Sequence, residues 1–403
     1  MELFWLEHKK LWRKKIVKIC VLLCFVYCVI FGSILSFQWF SFGSSDDYTS
    51  AFGNNFDGYT VIKDSQEYAL SFGGELTDET LQQIVSDYQQ MEADGMEEEL
   101  EKTDWQIVNS WLGTLYPELR DTSNYKTMIS YVDPDKLTGF YERRQQVLDE
   151  FLEVSGQVGA EKEFLHQIER KVEKPFHYEW VEGWSTLLGS MVADLGVVMA
   201  LFLGIVLSSL FAGEWHDNTS ALVLTTRNGW GKIALAKILT GLAFTVELFA
   251  LLAVSSVISQ LIFMGTAGWD MPIQNIKLIA VAPMNMLQAE IYEYAFVLLG
   301  AIGFAGIVMF ISAAVKNNVL TLLLSLTVVY GPMMIAEYLP YGMQKALDLI
   351  PLVGSSTDIF RTNTFRIFGK LIWSPYLLIT IPVLIGILCM PFAIKSWSRR
   401  MKA

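Results

Sequence analysis

Six apolar runs divide the chain. Each is close to or longer than the roughly 20 residues that an α-helix needs to cross the ~30 Å hydrocarbon core of a bilayer, and none holds more than one charged side chain. The pattern therefore predicts a mainly α-helical, polytopic membrane protein with six transmembrane helices. The runs cover residues 19–40, 187–211, 238–263, 294–315, 319–336 and 372–394.

The Lys and Arg residues between these runs predict the orientation of the helices. The N-terminal segment, the segments after the second and fourth runs, and the C-terminal segment together hold 14 basic and four acidic side chains. Because short loops rich in Lys and Arg stay on the cytoplasmic side of a membrane, both termini are predicted to be cytoplasmic. The segment of residues 41–184 then falls outside, where it carries 30 acidic and 11 basic side chains.

This topology divides the chain into four parts. Residues 1–15 are predicted to form an interfacial helix, because aromatic and basic side chains separate onto different faces, and residues 16–40 form transmembrane helix 1. Residues 41–184 are predicted to form a large, mostly helical extracellular domain, since apolar side chains keep helical spacing along much of it. Residues 185–403 form a five-span membrane domain. Its outer loop, residues 337–371, is expected to contain re-entrant or interfacial half-helices.

The distribution of cysteine indicates the compartment. The outer segment has none, and all four cysteines lie in predicted spans. A large extracellular domain without disulfides is more typical of a bacterial surface than of the eukaryotic secretory route, which predicts a multi-pass protein of the bacterial plasma membrane. Cys20, Cys24 and Cys28 recur every four residues and share one helix face. We interpret them as a small-residue packing face rather than a metal or redox site.

Motifs for common catalytic chemistry are absent from the sequence. A phosphate-binding P-loop needs G-x-x-x-x-G-K-[ST], but Gly231-Lys232 is followed by Ile233. The zinc motif H-E-x-x-H, the nucleophile elbow G-x-S-x-G and the C-x-x-C pair are also missing. The net charge of −12 argues against a nucleic-acid partner, because no positive field gathers phosphates. The chain is predicted not to be an enzyme and to hold no cofactor of its own.

Two acidic residues lie inside the predicted spans. Asp194 is in the second run, and Glu247 is near the middle of the third. Carboxylates at membrane depth are costly and are often functional, so either residue could take part in transport or in membrane-embedded catalysis. The alternative is a protonated or hydrogen-bonded acid that holds two helices together.

The cytoplasmic segment between the second and third runs, residues 211–237, is too long for a tight turn and too apolar for a free loop. Asn218 or Thr219 could cap a short helix lying along the membrane. Such a helix would present polar groups to a cytoplasmic partner, although an interfacial helix without a partner would have the same pattern. The candidate contact residues are Glu214, His216, Asp217, Asn218, Thr219 and Arg227.

This segment resembles the corresponding part of ABC-2 type ABC transporter permeases. Members often carry a Phe-x-x-Glu after the second span, then a leucine-rich turn, a Thr/Ser-Arg turn and a later Ala-Lys. The matching residues here are Phe211 and Glu214, Thr219 of the family's Gly-Thr pair (in which Asn218 stands in place of Gly), Leu222 and Leu224, Thr225-Thr226-Arg227, and Ala236-Lys237. The six spans and the N-terminal interfacial helix are also similar to that family.

The resemblance implies a function for the chain. It would be the membrane subunit of an exporter for an antimicrobial peptide, a lipid-like compound or a drug, paired with a second permease copy or a sister permease. A separate cytoplasmic ATPase subunit would hold ATP and Mg, and segment 211–232 would dock on it as a coupling helix. Two other classes stay open: a membrane-anchored sensor or assembly protein that binds a ligand or the cell wall, and a membrane enzyme using Asp194 or Glu247.

Overall fold

The computed structural model describes residues 2–41, 66–67, 69–71, 74–96, 105–121, 124, 126–188, 192–217, 219, 231–354 and 363–399, with side chains except at 31–41, 186, 192–194, 259, 263 and 399. This part of the chain is mainly α-helical, as predicted. The helices are α1 Glu2–Arg13, α2 Lys15–Ser41, α3 Asp78–Ala93, α4 Trp105–Leu115, α5 Phe140–Val154, α6 Ala160–Glu169, α7 Glu182–Thr186, α8 Val192–His216, α9 Lys232–Phe263, α10 Met286–Ala314, α11 Asn318–Ile335, α12 Tyr341–Leu347 and α13 Ser374–Arg399. The strands are β1 Glu75–Leu76, β2 Phe176–His177, β3 Thr364–Ile367 and β4 Lys370–Trp373.

Five helices in the described part of the chain are long and apolar enough to cross a membrane. They overlap the second to sixth apolar runs and are compatible with a multi-pass membrane protein. The first run lies within α2, a single helix of 27 residues, and its role as a sixth span stays a prediction. The candidate spans are Leu195–His216, Lys232–Ile262, Met286–Ala314, Asn318–Tyr338 and Ser374–Ser398.

Two of these helices begin earlier than their apolar runs. Helix α9 begins at Lys232 rather than at residue 238, and α10 begins at Met286 rather than at 294. The start of α10 is fixed by a capping box, in which Asn285 and Gln288 each accept a hydrogen bond from the other's backbone N–H. The polar first turns of both helices are therefore helical, although they do not read as membrane-spanning sequence.

Close backbone contacts hold the membrane bundle together. Helix α10 packs against α8 and α13, and a Cβ atom on Gly303 or Gly306 would lie within 2.5 Å of the carbonyl oxygen of Pro382 or Gly386. Small residues allow two helices to approach in this way. Helix α2 packs against α9. Cys20, Cys24 and Cys28 of α2 are all buried, as the predicted packing face requires.

The segments that join the helices gather at two ends of the bundle, in the alternation that the sequence predicts. One end, which we call the basic end, brings together α1, the end of α8, Lys316 and the end of α13. There the Lys316 ammonium lies 4.4 Å from the centre of the Trp215 ring, and the Trp215 and Trp397 rings are 6.2 Å apart. The opposite end, the domain end, carries the described residues between 66 and 188 together with the loop 264–285 and the described residues of the loop 336–373.

The domain at the domain end has its own core. Trp111 packs edge-on against Phe140 and Tyr178, with ring centres 6.3 and 5.6 Å apart. The domain is mostly helical, as predicted, but the strands β1 and β2 pair antiparallel across it. Helix α5 begins at Phe140, since residues 134–136 form a 3₁₀ turn and Gly139 takes a positive φ of 73°.

The outer loop 337–371 differs from the expected half-helices. It contains the short helix α12 and an antiparallel hairpin of β3 and β4, in which Thr364 faces Trp373. Phe368 and Gly369 form the two-residue turn with φ of 49° and 79°, the left-handed geometry that tight hairpins favour. The Arg366 guanidinium donates to Glu161 of the domain over 2.6 Å. The hairpin is therefore connected to the domain through Arg366.

Candidate functional site at the basic end

The segment that joins the second and third spans is shorter than predicted. Helix α8 continues through residue 216 and α9 begins at 232, so residues 211–216 and 232–237 are the last and first turns of two spanning helices. The Ser312 hydroxyl of α10 accepts from the backbone N–H groups of Phe211 and Ala212 over 3.1 Å each. These bonds fix the end of α8 to α10. The connection between the two helices is therefore confined to residues 217–231.

Glu214 is buried against other residues of the chain, so its predicted contact with a cytoplasmic partner is not seen here and stays a prediction. Its side chain is only 4% exposed. Lys10 Nζ of α1 donates to Glu214 Oε1 over 2.5 Å, and Lys237 Nζ of α9 donates to the same oxygen over 2.8 Å. The Thr219 hydroxyl donates to Oε2. A buried carboxylate needs such partners, and three chain segments converge on Glu214 to supply them.

Lys237 completes a charge-balanced group. Its ammonium is 2% exposed and also donates to Glu7 Oε2 of α1 over 2.8 Å. We call Glu7, Lys10, Glu214 and Lys237 the inner ion cluster. Two acids and two bases thus join α1, α8 and α9. The sequence had identified Lys237 only through the Ala-Lys pair of the family resemblance, and it gave no sign of Glu7 or Lys10 as partners.

The charges of the cluster shift the pKa of Lys10, one of its members, and of the adjacent Lys14. Burial alone would lower the pKa of Lys10, but its hydrogen bond and charge interaction with Glu214 raise that pKa above its ordinary value. Burial, together with the positive charges of Lys237 and Lys10, lowers the pKa of Lys14. Lys14 Nζ donates to Ser209 Oγ of α8 over 2.9 Å. The N-terminal helix is therefore held to α8 at two successive turns.

The space inside the cluster is too small for a ligand. The cavity lined by the cluster, Lys14 and Ser209 has a volume of about 10 Å³, roughly the size that one water molecule requires. The cluster therefore acts as a joint between helices rather than as a binding pocket. Any contact with a partner protein has to be made by residues around it.

The other predicted contact residues fall into three groups. His216 and Asp217 are exposed at the end of α8 and are free to meet a partner. Thr219 is half-buried, with its backbone N–H donating to the Glu214 carbonyl over 3.0 Å. Asn218 and Arg227 lie outside the described residues, as does the predicted short helix.

Glu247 also contacts the N-terminal helix. Its Oε2 accepts from Trp12 Nε1 over 3.0 Å, and its Oε1 lies 3.1 Å from His8 Nε2. Glu247 is ten residues beyond Lys237 on α9, about 15 Å at 1.5 Å per residue. Helix α1 therefore lies along the first half of α9. This arrangement favours the interpretation of Glu247 as an acid that joins two helices; the side chain of Asp194 lies outside the described ones.

Two further acids were missed because they precede the fourth apolar run. Glu290 and Glu293 are buried in the first turns of α10. Tyr294 lies one helical turn after Glu290, and its hydroxyl hydrogen-bonds with Ser256 Oγ of α9 over 2.7 Å. The Asn285–Gln288 capping box is the sequence pattern that could have predicted the earlier start of α10 and therefore the inclusion of both acids in the helix bundle.

Comparison with known proteins identifies no relative of this chain. No protein-family model, no curated protein and no solved structure matches the chain. The resemblance to ABC-2 permeases therefore rests on the span pattern and on residues 211–237.

Proposed function

We propose that this chain is the permease subunit of an ATP-driven exporter in the bacterial plasma membrane. The basic end faces the cytoplasm, and the domain of residues 41–184 lies outside. A separate ATPase subunit holds ATP and Mg, and two permease subunits pair with two ATPase subunits. The observation that carries the proposal is the inner ion cluster, because it ties the exposed end of α8 to α9 and α1 at the same point.

The inner ion cluster is suited to transmit a displacement from a partner protein to the membrane helices. A partner that presses on residues 217–231 contacts the connection between α8 and α9, whose ends are joined by the Glu214–Lys237 pair. The two helices therefore move together with α1 instead of separating. Coupling between distant sites requires an element with two discrete positions. The three joined helix ends are that element in this proposal.

The helices then carry the displacement to the domain end. Helix α8 has 25 residues, about 38 Å at 1.5 Å per residue, and it packs against α10 and α11. At the far end, Trp184 Nε1 donates to the Ala267 carbonyl over 2.8 Å, linking α7 to the loop after α9. A movement at the basic end would thus reach the outer domain and open a path for a peptide, lipid-like or drug-like substrate.

A second candidate function has its own observation. A cleft of about 390 Å³ lies between the outer domain and the loop 275–280, as expected of a membrane-anchored sensor or assembly protein that binds a ligand outside the cell. The two functions differ in their need for a partner, because a sensor would bind its ligand without an ATPase.

Co-purification tests the proposed partner. We expect the tagged full-length chain, extracted from the membranes of its native host, to retain a protein with a Walker A motif and ATP hydrolysis activity. Replacing both exposed residues, His216→Ala with Asp217→Ala, should reduce retention about tenfold, the change that follows from losing roughly 1.4 kcal/mol of binding energy.

The matched control is Val154→Ala, which changes a side chain that is 89% exposed at the domain end and should retain the ATPase fully. Absence of any ATPase from the purified chain, with the chain itself folded, would exclude the exporter in favour of the sensor.

A further inference from the structure

The cleft between the outer domain and the bundle has the chemistry of a binding site. Helix α4, the end of α5, helix α7 and the loop 275–280 form its walls, and its volume is about 390 Å³. Pockets of this size that combine apolar walls with a few polar groups are typical ligand sites. The side chains that define it are Trp111, Phe151, Glu182, Asn275, Lys277 and Leu278.

Apolar side chains hold the wall of the cleft in a fixed shape. Trp111 is buried, and its Nε1 donates to the Asn275 carbonyl oxygen over 2.9 Å. The indole is therefore locked against the loop. Phe151 and Leu278 complete an apolar surface on which the body of a ligand could lie without disturbing the fold.

Two of the polar side chains on the cleft wall, Asn275 and Glu182, offer hydrogen-bond acceptors. Asn275 is fully buried, and its Nδ2 donates to the His177 carbonyl over 3.0 Å, which fixes the orientation of the amide. Its Oδ1 accepts no hydrogen bond from any residue that the structure describes. Glu182 contributes a carboxylate. Burial raises the pKa of Glu182 above its ordinary value, and a cation bound beside it would favour its charged form.

The charge of the surroundings favours the same type of ligand. The segment 41–184 carries 30 acidic and 11 basic side chains, and a domain of one sign raises the local concentration of ions of the other. Lys277 is the basic side chain on the cleft wall among the residues described. A cationic ligand would bind beside Glu182, whereas an anionic ligand would bind beside Lys277. Substituting either side chain therefore distinguishes the two types of ligand.

We infer that the cleft binds an amphipathic cation, with an ammonium or guanidinium group against Glu182 and Asn275 Oδ1 and an apolar body against Trp111 and Phe151. This inference does not depend on the exporter. A cation of this kind would be the substrate or a regulator of an exporter, and it would be the signal of a sensor.

Equilibrium dialysis of the full-length chain in phosphatidylcholine nanodiscs tests the inference. The probes are radiolabelled 4-phenylbutylamine and its anionic counterpart 4-phenylbutyrate, and empty nanodiscs measure partition into lipid. We expect saturable binding of the amine and at least tenfold weaker binding of the carboxylate. Glu182→Gln should weaken amine binding about tenfold, the equivalent of one pKa unit of interaction. The matched variant Lys277→Gln should bind the amine as tightly as the unchanged chain or more tightly.

Several results would overturn the inference: no saturable amine binding, preference for the carboxylate, or equal amine binding by Glu182→Gln and the unchanged chain. If Glu182→Gln fails to fold, two other results still test the inference. They are the preference of the unchanged chain for the amine over the carboxylate and the effect of Lys277→Gln on amine binding. No step requires an ATPase, so failure here leaves the exporter to be judged by co-purification alone.

Discussion

Arg144→Ala should destabilise the folded protein by about 3 kcal/mol, in line with the loss of one partner from a buried ion pair. Arg144 is 0% exposed, and its guanidinium donates to Glu169 Oε1 over 2.6 Å. It also donates to the carbonyl oxygens of Leu278 over 2.7 Å and Ala280 over 3.1 Å. A single side chain therefore links the outer domain to the loop after α9. Alanine would leave the Leu278 carbonyl without this donor and Glu169 with Lys174 alone.

The thermal unfolding midpoint of the full-length chain in nanodiscs measures this effect. Arg170→Ala is the matched control, because Arg170 is exposed and lies 3.5 Å from Glu163, a type of pair that contributes less than about 1 kcal/mol. Equal midpoints for the two variants would show that Arg144 does not hold the domain on its loop.

The effect of Arg144→Ala should also depend on pH. Burial alone would raise the pKa of Glu169, but hydrogen bonds from Lys174 and Arg144 hold it below its ordinary value of 4.5. A carboxyl with a depressed pKa stabilises the fold fully above its ordinary pKa, and this contribution disappears as the pH falls through the lower, folded value. The difference between Arg144→Ala and the unchanged chain should therefore shrink below pH 4.5.

Lys237→Met should have a comparable effect on stability at the basic end and should also abolish ATP-driven transport. The change removes the shared donor of Glu214 and Glu7 and leaves the buried Glu214 and the half-buried Glu7 with Lys10 as the remaining base of the cluster, at a cost of about 3 kcal/mol. The joint between α8 and α9 is lost at the same time.

The double variant Lys237→Met with Glu214→Gln separates the two consequences. It leaves Glu7 and Lys10 as a balanced pair, so stability should largely return, because removing both partners leaves no uncompensated charge. Transport should stay low, since the ionic joint is still absent. Lys232→Met, at an exposed position in the first turn of α9, is the matched control and should behave like the unchanged chain. Full transport by the double variant would contradict the coupling role of the cluster.

The helices of the membrane part could be predicted because a long apolar run has few other structures available. The bounds were harder to predict. Glu290 and Glu293 ended the fourth run in the sequence, yet both are buried within α10. A run of apolar residues indicates helix surface that suits lipid. These two acids are instead buried by other parts of the protein, and the sequence pattern does not distinguish burial in protein from exposure to water.

The inner ion cluster could not be predicted for a different reason. Glu214 follows an apolar run, where a charged side chain is ordinarily solvated. Its partner Lys10 is 204 residues away along the chain, and no local pattern links the two. The hairpin at residues 364–373 was missed for another reason: its strands are only four residues each, and the sequence analysis assigned part of them to the sixth apolar run.

Site-specific photo-cross-linking tests the proposed coupling most directly. A photoreactive amino acid at position 217, which is exposed at the end of α8, should cross-link in native membranes to a separate protein with a Walker A motif, and the yield should change when ATP is added. The same group at position 154, exposed at the domain end, should capture no ATPase. Cross-links from position 217 that contain no ATPase, or capture of an ATPase from position 154, would contradict the proposal that residues 217–231 receive the force of ATP hydrolysis.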